Sequence, residues 1–533
     1  MTPAEVKARL AAADGEIALL DVRERGAHAR GHPLFAASLP LSRIELDIDR
    51  LAPCRAAPLV LLDDGGGDDR ARRAAERLAG FGYADIALLD DGIAGWRAAG
   101  EELFDGVSVP SKAFGEYVEL HCHTPHVTAP ELARLKADGA RIVILDSRPL
   151  EEYRRMSIPG GIDVPGAELV HRVRDLAPDP DTLVVVNCAG RTRSIIGAQS
   201  LINAGLPNTV VALENGTMGW ALAGYELEHG REHAAPPPSA DARRWARAAA
   251  ARVTERFRVP RIDRAALARW QDEGARRTLY LCDVRTAEEY QAGHLPGARH
   301  APGGQLVQAS DSFIPVYGAR VVLVDDDEVR AAMTASWLIQ MGRREVHVLA
   351  GGIGADGLEP GPEPRTVLGL TPARQAFEIS VGRMMGMLPG RDMTLIDFAD
   401  SRSFKAGHVA GAWWTVRARL AETIARMPQS QMVVATSPNS DLAHLAAPEV
   451  ARHVRCPVRV LGGGTDAWVA AGLPLEAGDA RMLGDQDDIH LLPYDHPPAE
   501  VEAAMRAYLS WETALVPRTA RDGVARFDVR PRA

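Results

Sequence analysis

Cys188, Arg191 and Arg193 are the residues of this 533-residue chain best suited by type and spacing to covalent chemistry. They lie in Asn187-Cys188-Ala189-Gly190-Arg191-Thr192-Arg193-Ser194, directly after the apolar run Leu183-Val184-Val185-Val186. That run predicts a buried parallel strand, and Ser194 to Ala204, closed by Gly205 with Pro207 beyond, predicts a helix. A loop leading from a strand's C-terminal end to a helix N-terminus is where an open α/β sheet binds its ligand. A cysteine there faces unpaired backbone N–H groups and the positive end of the helix dipole, with two arginines beside it. Each of these favours thiolate over thiol, which predicts an ionised nucleophile and a site suited to an anion. The competing role is a buried structural cysteine, but an apolar pocket is not built beside two guanidinium groups.

The elements that must position this loop recur four times along the chain. Each copy has a strand ending in Asp, a Gly/Pro turn, a second apolar strand with a polar loop, a helix, a third strand and a Gly-rich turn. The openings are Ile17 to Arg23, Ile142 to Arg148, Leu279 to Arg285 and Thr394 to Asp397. The cysteine appears in the second copy alone. The first copy carries Asp64-Gly65-Gly66-Gly67-Asp68-Asp69 at that place, the third Asp325-Asp326-Asp327-Glu328, and the fourth has Ser437 where the cysteine would stand. The expected units are 1–107, 108–235 with Cys188, 239–362 and 366–478, with a tail over 479–533. The Pro-rich segment Ala234 to Ser239 is read as a linker, and the tail is expected to carry one helix, over Ala499 to Ala514.

A net charge of −10 argues against a general nucleic-acid partner, and no stretch approaches the roughly 18 apolar residues of a membrane span. The first residues have neither a basic nor an apolar leader pattern, so a cytoplasmic location is expected. Five cysteines thinly spread over the chain do not make a disulfide framework, and reduced thiols are expected. His121, Cys122, His123 and His126 are read as an extended segment whose alternate residues face opposite ways. Together with the lack of a second ligand pair, this gives no metal site. No cofactor is expected. Whether the protein forms a homodimer is left open by the sequence.

With these residues in view, the chain resembles a tandem array of rhodanese-like domains. The marks are the Asp-x-Arg strand ends (Asp21/Arg23, Asp146/Arg148, Asp283/Arg285), the segment Glu288-Glu289-Tyr290 with Gly293-His294-Leu295-Pro296-Gly297-Ala298, the cysteine loop and the closing Gly-x-x-x-Trp. The resemblance implies four α/β units, each a central, mostly parallel sheet flanked by helices. It also implies a sulfurtransferase in which Cys188 takes sulfane sulfur from a small anionic donor such as thiosulfate. The sulfur would pass to cyanide, a thiol or a protein cysteine. Ala189, Gly190, Arg191, Thr192, Arg193 and Ser194 would form the cradle, with Arg193 as the loop arginine. Many thiosulfate-using members carry Arg directly after the cysteine, where this chain has Ala189. The related dual-specificity phosphatases place Arg six positions after the cysteine; here that position is Ser194, and Arg193 comes one residue early. A non-catalytic scaffold is the remaining alternative, because three loops lack the thiol.

Overall fold

A computed structural model describes residues 1–12, 14–371, 377–387 and 393–530. The ranges 372–376 and 388–392 of the expected fourth unit, and 531–533 of the tail, lie outside the described residues. Four sheets form, and every pairing between named strands is parallel. The α/β architecture of four parallel sheets flanked by helices is the one expected. Parallel neighbours require crossover connections, and helices fill them, so each central strand is covered on both faces. This explains why the central strands read as continuous apolar runs rather than alternating ones.

In the second sheet the spatial order is 126–127, 210–213, 183–187, 142–146, 162–163. The strand Leu183–Asn187 is therefore central, and Val184, Val185 and Val186 are wholly buried. Asp146 and Arg148 form a buried ion pair, with Arg148 Nε 2.8 Å from Asp146 Oδ1. The guanidinium also donates to Met156 O at 2.6 Å, fixing the following turn. Arg23 with Asp21 and Arg285 with Asp283 repeat this arrangement.

Three sequence expectations change. The helix Val109–Cys122 takes in His121 and Cys122, which are not extended; Pro110 in its first turn suits helix initiation. Met482–Leu483, placed in the tail by the boundary at 478, pairs with Trp414 and Thr415 as a sixth strand of the fourth sheet. The tail carries two helices, Val501–Thr513 and Leu515–Asp522, broken at Ala514 because Pro517 lacks an N–H and crowds the preceding turn. Past the Pro-rich segment, the helix Ala240–Phe257 buries Ala246, Ala249, Ala250 and Val253 in the core shared by the second and third units.

Candidate active site

Cys188 is the first residue after its strand and is 2 % exposed. The helix that follows runs Thr192–Ala204 and ends at Gly205, whose φ of 76° is the left-handed conformation glycine adopts without strain. The carbonyls of Cys188 and Ala189 accept the N–H groups of Thr217 (2.8 Å) and Met218 (3.0 Å) from the neighbouring Gly-rich turn. Gly216, at φ 55°, has to be glycine, because a Cβ there would collide with Cys188 O. With the carbonyls tied back, the successive N–H groups of Ala189 through Ser194 have no acceptor among the described residues. Such a run of donors at a helix N-terminus has the geometry to hold an anion.

The two loop arginines part company. Arg193 makes a paired contact to Glu152 (2.8 and 2.7 Å), reaches Gln305 Oε1 at 3.1 Å and lines the cavity above the loop. Burial opposes its charge, but Glu152 and the Cys188 sulfur outweigh burial and hold the guanidinium firmly protonated. Arg191 turns instead to the helix Val109–Cys122. There it binds Glu116 (2.7 and 2.9 Å), Glu119 and Asn215, and it does not line the cavity. Its charge is answered by carboxylates rather than left for a ligand. Thr192 also turns away, donating to Glu512 at 3.1 Å. Ser194, fully buried, donates its hydroxyl to Cys188 Sγ at 3.2 Å, so it supports the sulfur directly.

The cavity measures about 450 Å³ and is walled by several parts of the chain. Lys112, Arg148, Glu152, Ala189 and Arg193 come from the second unit, Asp105 to Val107 from the end of the first, and Gln305 and Gln308 from the third. Tyr494, Tyr508 and Trp511 of the tail complete it. Met505 and Leu509 pack on Met218, with Ala189 against the same cluster. Lys112 Nζ donates to Tyr508 OH (2.6 Å), which donates to Glu512 (3.2 Å). Gly190 admits this helix, since a Cβ there would lie 2.9 Å from Glu512 Oε2 and 3.1 Å from Tyr508. The sequence predicts the tail helix, but no spacing links it to Cys188.

The other loops explain themselves by register. Asp63, Asp325 and Ser437 each follow the strand equivalent to Leu183–Asn187. Asp325 accepts the N–H groups of Glu328 (2.7 Å), Arg330 (2.8 Å) and Ala331 (3.3 Å). Asp63 accepts those of Gly65 and Ala71, and Ser437 that of Ala443. Each loop thus fills its own donor nest with an internal oxygen. Arg330, at the place of Arg193, is fully buried between Glu168, Glu289 and Asp326.

Comparison with known proteins agrees with this architecture. A crystal structure described as thiosulfate sulfurtransferase from Pseudomonas aeruginosa is 50 % identical, with 99 % of both chains covered and a TM-score of 0.94. An HTH-type transcriptional regulator of Mycobacterium tuberculosis is 34 % identical over 104 residues; the match spans 20 % of this chain and 45 % of that protein, less than half its length. A rhodanese-related protein of Thermoplasma volcanium is 26 % identical over 20 % of this chain and 97 % of its own, with a TM-score of 0.18. The model of the rhodanese-like domain matches residues 2–99, 128–223 and 263–355, over half of the sequence, and the chain therefore belongs to the rhodanese-like domain family.

Proposed function

We propose that this protein is a sulfurtransferase of the thiosulfate type, with Cys188 as the sulfur carrier. The observation that carries this is the donor nest of Ala189 to Ser194 beneath a cavity lined by Arg193. The full-length likeness to a protein described as thiosulfate sulfurtransferase supports the same donor class.

The Cys188 thiolate attacks the outer sulfur of thiosulfate, forming a Cys–S–S bond. The bond between that sulfur and the sulfonate breaks, and its electron pair leaves on sulfite. Charge balances at −3 before and after: a thiolate and a dianion become a persulfide anion and sulfite. Arg193 offsets charge on the donor and on the departing sulfite, and the loop N–H groups hold the persulfide. Cyanide or a thiolate then attacks the terminal sulfur, leaving as thiocyanate or a new persulfide and returning the Cys188 thiolate. Ala189, Gly190, Arg191 and Thr192 serve this scheme through their backbone. Arg191 and Thr192 spend their side chains on Glu116 and Glu512, bracing the loop from behind. The first and third units, their nests already filled, act as walls.

Intact mass after incubation with thiosulfate tests the proposal. A gain of one sulfur atom, removed by reductant and absent in Cys188→Ser, is expected. No gain with thiosulfate, mercaptopropyl persulfide or mercaptopyruvate would overturn it in favour of a scaffold.

A further inference from the structure

We infer that the acceptor is a low-molecular-weight anionic thiol, and that the C-terminal segment is the element that turns protein cysteines away from Cys188. This inference rests on the sulfurtransferase function proposed above and adds the acceptor class.

Cys188 is buried beneath a roof that is itself pinned down. Tyr494 OH lies 3.1 Å from Thr217 Oγ1, on the turn that ties back the Cys188 carbonyl. Asp495 beside it pairs with Arg155 (3.0 Å) on one side and Arg402 (2.8 Å) on the other, joining the second and fourth units. Trp511 packs against Gly106, where a side chain would strike the indole. A cysteine on a folded protein brings its flanking backbone and needs a docking face of roughly 800 Å². Cys188, 2 % exposed under this cover, meets no such partner face while the cover stays in place. A cavity of about 450 Å³ falls in the range of small-molecule sites.

The lining narrows the class further. Four cations line the cavity, Lys112, Arg148, Arg155 and Arg193, against two carboxylates, Asp105 and Glu152; Lys112 itself pairs with Glu512 at 3.5 Å. Met156, Met218 and Leu492 give part of the wall an apolar surface, suited to an organic body rather than a second bare anion. A small thiol with a carboxylate meets both features.

The test loads Cys188 with thiosulfate, removes the excess and follows loss of the persulfide by mass, with rates expressed per thiolate. The acceptors are 3-mercaptopropionate, cysteamine and reduced thioredoxin. The anionic thiol is expected to be at least about tenfold faster than the cationic one. Thioredoxin is expected to be at least about a hundredfold slower than mercaptopropionate, as for a roof open about 1 % of the time. Asp495→Asn, which cuts both anchoring pairs, and separately Trp511→Ala should raise the thioredoxin rate about tenfold relative to the small thiol. Wild-type discharge by thioredoxin within tenfold of mercaptopropionate, or no preference for the anionic thiol, would overturn the inference.

A second readout does not need the persulfide. Iodoacetate should alkylate Cys188, located by peptide mass, whereas a maleimide on a long polyethylene glycol chain should do so only in the roof variants. Equal labelling of the wild type by both reagents overturns the roof. Failure of thiosulfate to load Cys188 counts against the proposed function, and the labelling contrast then decides the roof separately.

Discussion

Replacing Arg193 by Gln separates its two duties, to the substrate and to Glu152. One preorganised donor aimed at developing charge is worth about 10²–10³ in rate, or about 2.7–4 kcal/mol. Its loss also leaves Glu152, which lines the same cavity, facing the thiosulfate dianion without its partner. That repulsion adds about a further tenfold, near 1.4 kcal/mol. The stability cost is smaller. Arg193 is 12 % and Glu152 40 % exposed at the side chain, so water takes up much of the released charge. A loss of about 1–2 kcal/mol is expected instead of the 3–5 of a fully buried pair. The assay is kcat/KM for thiosulfate at saturating cyanide, beside urea unfolding, for Arg193→Gln, Glu152→Gln and the double variant. The single arginine variant should fall about 10³–10⁴-fold. The double variant should regain about tenfold and most of the lost stability, but stay far below wild type. A double variant with wild-type kcat/KM would refute the reasoning, because Arg193 would then serve only to neutralise Glu152.

Ser194→Ala removes the 3.2 Å hydrogen bond to the sulfur and should slow loading from thiosulfate by about tenfold, measured by quenched-flow mass analysis. Asp325→Cys places a thiol at the matching position of the third unit. It should take up no sulfur, because Arg330 there is sealed between carboxylates, and it should destabilise the chain by stripping three N–H groups of their acceptor. His171 joins the second unit to Asp327 of the third at 3.2 Å. Burial opposes its charge, but Asp327 and Glu168 push its pKa up to about 8. Raised above its ordinary value near 6.5, it contributes on the order of 2 kcal/mol that is complete below that pH and lost as pH rises through about 8. The stability gap between wild type and His171→Gln should therefore be widest near pH 6 and close by about pH 9. Gly190→Ala should displace the tail helix from Tyr508 and Glu512 and expose Cys188 to bulky maleimides.

Much of this architecture was legible because it rests on local pattern. Val184 to Val186 announce a strand covered on both faces, Gly205 ends the next helix, and the fourfold recurrence makes each weak motif stronger. The position of the Cys188 loop between strand and helix followed from that placement. The fate of Arg191 did not: its partners, Glu116 and Glu119, stand three apart on one helix face, a spacing with meaning only once that helix is known to lie against the loop. Asp325 was visible as an acid of its loop, but the first copy's loop was read from Asp64, and only register sets Asp63 in line with Cys188. Local pattern gave the tail helix but not its docking place, since Tyr494, Tyr508 and Glu512 reach the site through tertiary packing alone.

The distance along the chain between the loop and its cover bears on synthesis. Thr192 and Glu512, hydrogen-bonded in the finished protein, are 320 residues apart. At translation rates of about 5–20 residues per second, the Cys188 thiol leaves the ribosome roughly 15–60 s before the helix that shelters it. A newborn molecule therefore passes through an interval in which a sulfur buried in the finished protein lacks its C-terminal cover, so the fraction of copies that keep this thiol reduced depends on how reducing the surroundings are while the third and fourth units are still being made.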